Sequence, residues 1–84
     1  MTTVKVKLDS IEKIKEFNRI VCKFECDFDL EQGRYYIDAK SMLGILSLDL
    51  SAVLQLHFTT SEDEAASILD AIKDFIQQQK EEKL

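Results

Sequence analysis

Glu25-Cys26-Asp27-Phe28-Asp29-Leu30-Glu31-Gln32-Gly33-Arg34-Tyr35-Tyr36-Ile37-Asp38-Ala39 alternates acidic with apolar side chains and then breaks at a glycine. The alternation over residues 25–31 predicts a strand with Cys26, Phe28 and Leu30 facing inward and Glu25, Asp27, Asp29 and Glu31 facing water. Gln32-Gly33 reads as a hairpin turn, because glycine supplies the positive φ that such turns require. Arg34 to Ala39 then return as the partner strand, which sets Arg34 near the acidic row. The hairpin therefore belongs to a sheet that is wet on one face.

Upstream, Val4, Val6 and Leu8 alternate with Lys5 and Lys7 and predict a first strand. From Ser10 the period changes to that of a helix. Ile11, Ile14, Phe17, Ile20, Val21 and Phe24 fall on one broad side, with Asp9 or Ser10 as the cap. Glu12, Lys15, Glu16, Arg19 and Lys23 form a solvated opposite side without ordered ion pairs. Downstream, Ser41 caps a short apolar helix through Leu46. Leu54, Leu56 and Phe58 alternate with Val53, Gln55 and His57 as a fourth strand. Ser61 with Glu64 has the capping-box spacing, and Ala65, Ile68, Leu69, Ile72, Phe75 and Ile76 follow at helical intervals. Gln77 to Leu84 are polar and are expected to fray. The order is βαββαβα: an α+β open-faced sandwich with a four-stranded, mostly antiparallel sheet and the helices on one face, built as a single domain over residues 1–84.

A chain of 84 residues has room for one core, and 45% hydrophobic with 32% charged residues is a folding composition. The net charge of -5 excludes nucleic acid and anionic membrane as main partners, since both require a basic face. Residues 1–24 nevertheless hold six basic against three acidic side chains, a locally positive end. No apolar run reaches the ~20 residues of a membrane span, and the first residues lead into a strand pattern and not a signal peptide, so a cytoplasmic location is expected. In that reducing compartment Cys22 and Cys26 stay as thiols.

Candidate chemistry is sparse. His57 is the only histidine, and its alternation with Gln55 reads as an exposed sheet-face residue and not as a base or ligand. Cys22, Cys26 and His57 leave a zinc site short of a fourth ligand, so no metal is expected. The carboxylates of residues 25–31 lie along a flat strand, whereas calcium takes a wrapping loop. Neither a phosphate-binding glycine loop nor a nucleophile motif is present, and neither catalysis nor a cofactor is expected.

Lys40-Ser41-Met42-Leu43-Gly44-Ile45-Leu46-Ser47-Leu48, preceded by the turn Glu31-Gln32-Gly33-Arg34, resembles the regulatory-serine segment of HPr, the histidine-containing phosphocarrier family of the bacterial sugar phosphotransferase system. The resemblance is clearest from Cys22 to Leu50, and βαββαβα is that family's element order. HPr carries phosphate on a histidine at the start of its first helix, in a Gly-x-His-Ala/Thr-Arg-Pro motif. Aligned without gaps, that motif falls on Leu8-Asp9-Ser10-Ile11-Glu12-Lys13. The acceptor becomes Ser10, the assisting arginine becomes Glu12, and Leu8 and Lys13 replace glycine and proline. A serine ester is a poor phosphoryl donor, and Glu12 repels the group that arginine attracts. Asp49 stands where many relatives have glycine, another departure, at the exit of the short helix.

The resemblance implies a regulatory or interaction protein without histidine phosphotransfer. In this reading an HPr-type kinase modifies Ser41, and a regulator contacts Lys40, Met42, Leu43 and Leu46. Four large apolar residues exceed what one face of so short a helix buries, and Met42 and Leu43 are expected to be exposed. Two other readings stand beside it. One is a phosphocarrier that uses Ser10, Asp9 or His57 as a displaced acceptor. The other is a structural subunit whose sheet edge or acidic face binds a fixed partner.

Overall fold

The structure is a computed structural model in which residues 1–77 are described. The expectation for residues 78–84 lies outside the described residues. The elements are β1 (Thr2–Val6), α1 (Ile11–Val21), β2 (Phe28–Gln32), β3 (Tyr35–Asp38), α2 (Met42–Leu46), β4 (Leu54–Phe58) and α3 (Glu62–Ala71). The sheet order is β1-β4-β2-β3 and every neighbouring pair is antiparallel. The expected open-faced sandwich is thus observed.

Register explains the two faces. Val4, Leu56, Leu30 and Ile37 form one cross-strand row, and Thr3, His57, Asp29 and Asp38 form the next. Because side chains alternate along each strand, the first row faces the helices and the second faces solvent. On the helix side, Val6, Phe28, Leu30, Leu54 and Leu56 join Ile14, Phe17, Val21, Ile45 and Ile68 in one core. Phe17 meets Phe75 edge-to-face at 5.6 Å, and Phe28 packs on Phe58 at 5.2 Å. Ring pairs of this kind contribute about 0.5–1.5 kcal/mol beyond the area they bury.

Four local expectations need correction. The acidic alternation begins at Glu25, but β2 begins only at Phe28. The last turn of α1 tightens instead, with Lys23 N donating to Ile20 O at 3.0 Å and Phe24 N to Val21 O at 3.2 Å. That i→i+3 turn occupies the residues that follow the helix and swings Phe24 towards Phe28. The hairpin turn is Gly33-Arg34, one residue later than read, with Gln32 opposite Tyr35. Gly33 has φ +59 and no non-glycine residue among the described residues has positive φ, the pattern of a turn that needs glycine at its first central position. Arg34 therefore sits in the turn and makes no ion pair with the acidic row among the described residues. The charged side of α1 does hold ion pairs, Asp9 with Lys13 and Glu16 with Arg19.

The fourth correction concerns α3. The apolar period runs to Ile76, yet the α-helix stops at Ala71 and a 3₁₀ turn spans Lys73–Phe75. Neither proline nor glycine marks this point. Lys7 N instead donates to Phe75 O at 2.9 Å and Gln77 N to Lys5 O at 2.8 Å, and Ile76 bridges to Val6. Satisfying the outer edge of β1 outweighs one more helical turn, because unpaired edge groups are costly where the core closes over them.

Candidate functional site

The helices α1, α2 and α3 each begin at a serine. Ser10 Oγ accepts from Lys13 N at 3.1 Å, Ser41 Oγ from Gly44 N at 3.1 Å, and Ser61 Oγ from Glu64 N at 3.2 Å. Each cap satisfies one of the amides that a helix start leaves free. The surroundings of the three differ.

At α1, Glu12 occupies the first turn and the Asp9 carboxylate lies 3.1 Å from Lys13 Nζ. The hydrogen bond from Lys13 holds Asp9 below the usual carboxylate range. The one cation of that turn is thus already paired. At α3, Glu62, Asp63 and Glu64 fill the first turn, a strongly anionic setting.

At α2 the first turn holds no acidic residue. Ser41 is half-buried, and its N–H donates to Asp38 O at 2.9 Å. On the helix, Met42 and Ile45 lie three residues apart on the inner side, and Leu43 and Leu46 three apart on the outer side. Ile45 is fully buried and Met42 packs against the core, while Leu43 is 81% and Leu46 44% exposed. Exposure was expected for Met42 and Leu43. It belongs to Leu43 and Leu46, because the pair spacing assigns Met42 to the side of Ile45.

Lys40 is held by the fold. Its Nζ donates to Phe24 O at 2.7 Å and lies 5.8 Å from the Phe28 ring centroid, and its N–H donates to Asp38 Oδ1 at 2.9 Å. Two residues that the sequence reading gave no anchoring role fasten α2 at its ends. Asn18 Nδ2 donates to Lys40 O at 3.0 Å and Ala39 O at 3.4 Å, tying α1 to the α2 entry. The Gln32 amide donates to Asp49 O at 2.7 Å and accepts from Asp49 N at 2.8 Å, tying β2 to the α2 exit. Asp49 closes that exit by accepting from Ser51 N and Ser51 Oγ, which lowers its pKa. An asparagine next to Phe17 on a helix with a buried face was the only available signal for the first anchor.

His57 departs most from expectation. Its side chain is only 12% exposed, and its two ring nitrogens lie 2.9 Å from Thr3 Oγ1 and 2.8 Å from Glu31 Oε1. Tyr36 stacks on the ring at 5.7 Å. Neighbours from three other strands converge on it, a geometry that alternation along one strand does not reveal. Both nitrogens are engaged, and a carboxylate holds one of them. An open depression of about 390 Å³ beside it is lined by Glu25, Asp27 and Asp29 among others, a setting that repels phosphate. Cys26 is half-buried in the same region, and desolvation pushes its thiol up in pKa. Among the described residues no group of three or more His, Cys, Asp or Glu is placed to hold a metal.

Residues 12–78 match the family model described as "PTS HPr component phosphorylation site". The match begins two residues after Ser10. No curated protein matches the chain in sequence. Among solved structures, HPr-C-His from Thermoanaerobacter tengcongensis is similar with a TM-score of 0.72 at 23% identity, over 88% of this chain and 89% of that one. A phosphocarrier protein HPr from Bacillus anthracis str. Ames is similar with a TM-score of 0.67 at 22% identity, over 90% and 94% of the two chains. At these identities the two structures speak for the fold alone.

Proposed function

Because the chain belongs to the HPr family, we propose that it is a regulatory, non-enzymatic member of the phosphotransferase system that works in the cytoplasm without histidine phosphotransfer and is switched at Ser41. One observation carries the reading: Leu43, 81% exposed, stands in the first turn of α2 two residues from Ser41, so a charge added at Ser41 alters an apolar contact surface directly. A phosphoserine carries about two negative charges. No acidic side chain of that turn opposes them. The regulator contacts Leu43 and Leu46, with Met42 as their packed support, while Lys40 holds the segment through Phe24.

The acceptor position argues in the same direction. Beside Ser10, Glu12 is anionic and Lys13 is paired to Asp9. The displaced-acceptor reading through His57 is disfavoured by the carboxylates around it.

The test uses purified chain with ATP and an HPr-type kinase, and in parallel with enzyme I and phosphoenolpyruvate. One phosphate on Ser41 from the first mixture and none from the second supports the proposal. Acid-labile phosphate from the second mixture supports the phosphocarrier reading instead. No modification from either leaves only a constitutive binding subunit.

A further inference from the structure

The sheet has two edge strands, β1 and β3, and their edges differ. The segment after α3 covers β1 through Lys5 O and Lys7 N. On β3 the hydrogen-bond alternation can be counted from the turn. Residues flanking a two-residue hairpin exchange bonds. Gln32 with Tyr35 and Leu30 with Ile37 are therefore bonded pairs, and Ala39 N donates to Phe28 O at 2.8 Å on the same alternation. The N–H and C=O of Tyr36 and the N–H of Asp38 consequently point away from β2. None of the three has a backbone partner among the described residues. Over Tyr35–Asp38 the edge carries no lysine or proline, and its protection is limited to its four-residue length and the charge of Asp38. The Tyr36 ring lies over the sheet, stacked on His57, and leaves its own main chain open.

We propose that β3 is an interface between two copies of this chain, paired antiparallel about a two-fold axis at Tyr36. Outward main-chain groups occur at even positions, so bonded pairs across the edge join even with even residues. Centring on Tyr36 gives two reciprocal N–H···O bonds between the two copies and brings Arg34, in the turn just before β3, towards Asp38 of the other copy. Neither Arg34 nor Asp38 is in an ion pair among the described residues. Sliding by two residues sets Arg34 against Lys40 or Asp38 against Gln32, and both ion pairs are lost. The same register brings Tyr35, 61% exposed, against Ile37 on the helix side. The surface is self-complementary, as a two-fold contact requires. It is also small, and each copy carries a net charge of -5, so association is weak and needs concentrated protein.

The test is sedimentation velocity with amide NMR over a dilution series up to about 1 mM protein, a range that reaches weak contacts. A concentration-dependent dimer is expected, with shift changes centred on Arg34, Tyr36 and Asp38. Arg34→Asp alone and Asp38→Arg alone should each be monomeric, and an equimolar mixture of the two should dimerise again, since both Arg–Asp contacts are restored, one of them with its sense reversed. Both variants keep a net negative charge, so general attraction does not account for rescue. Tyr36→Pro removes the outward N–H without touching the β2 ladder and should also give a monomer. A chain that stays monomeric throughout, a dimer that survives all three substitutions, or variants that fail to rescue each other would overturn the proposal.

Discussion

The starts of α1 and α2 have the same cap and opposite prospects. Ser10 and Ser41 both accept from the amide three residues on at 3.1 Å. Around Ser10, Glu12 is anionic and Lys13 is already paired to Asp9. Around Ser41 the first turn is free of acid, and Leu43 and Leu46 face outward. A capping serine is therefore a structural feature first. The side chains beside it decide whether an added phosphate meets repulsion or a surface on which it has a consequence.

The largest effect expected from this contrast is all-or-none. With an HPr-type kinase and ATP, Ser41→Ala should abolish phosphate incorporation measured by intact mass, whereas Ser10→Ala should leave it unchanged. Incorporation at Ser10 would erase the distinction. Within α2 itself, Ile45→Ala should cost roughly 2–5 kcal/mol in urea unfolding, because it empties a buried site. Leu43→Glu should change stability by less than about 0.5 kcal/mol, the usual range of an exposed position. It should nevertheless raise the kinase KM by about tenfold or more, as loss of an apolar anchor does. A comparable loss of stability in both variants would mean that Leu43 is packed. Removing either cap, Ser10→Ala or Ser41→Ala, should cost about 1 kcal/mol by the same measurement. Equal costs with unequal modification would separate capping from regulation.

The smallest effect concerns pH. Lys13 lowers the folded-state pKa of Asp9, so the pair's contribution is complete above the unfolded carboxylate value near about pH 4 and is lost as pH falls through the lowered value. Asp9→Asn should therefore shift the urea midpoint at about pH 7 and lose that shift at about pH 2. A shift of equal size at both would show that the effect does not come from the ion pair.

Much of the site was legible because it depends on local spacing. Ser41 as cap and the short helix after it follow from neighbours in the chain. Asn18 and Gln32, which fasten α2, were not legible. Their partners lie 17 to 22 residues away, and a polar side chain does not announce which distant carbonyl it will meet. Lys40, expected as a regulator contact, is held by Phe24 O for the same reason, a partner 16 residues away that local spacing does not reveal.

Periodicity and capping by themselves predicted the four strands and three α-helices found among the described residues, in this order and with one buried face. These patterns express bonds and contacts within about one helical turn or one pleat. Tertiary structure alone decided where α3 ends, which of the α2 side chains emerge, and what surrounds His57. The end of α3 depends on unpaired groups of β1 some seventy residues earlier in the chain. The His57 cluster depends on register across four strands, which brings Thr3, Glu31 and Tyr36 to one imidazole. Such contacts arise only when separate elements pack, and no local pattern encodes them.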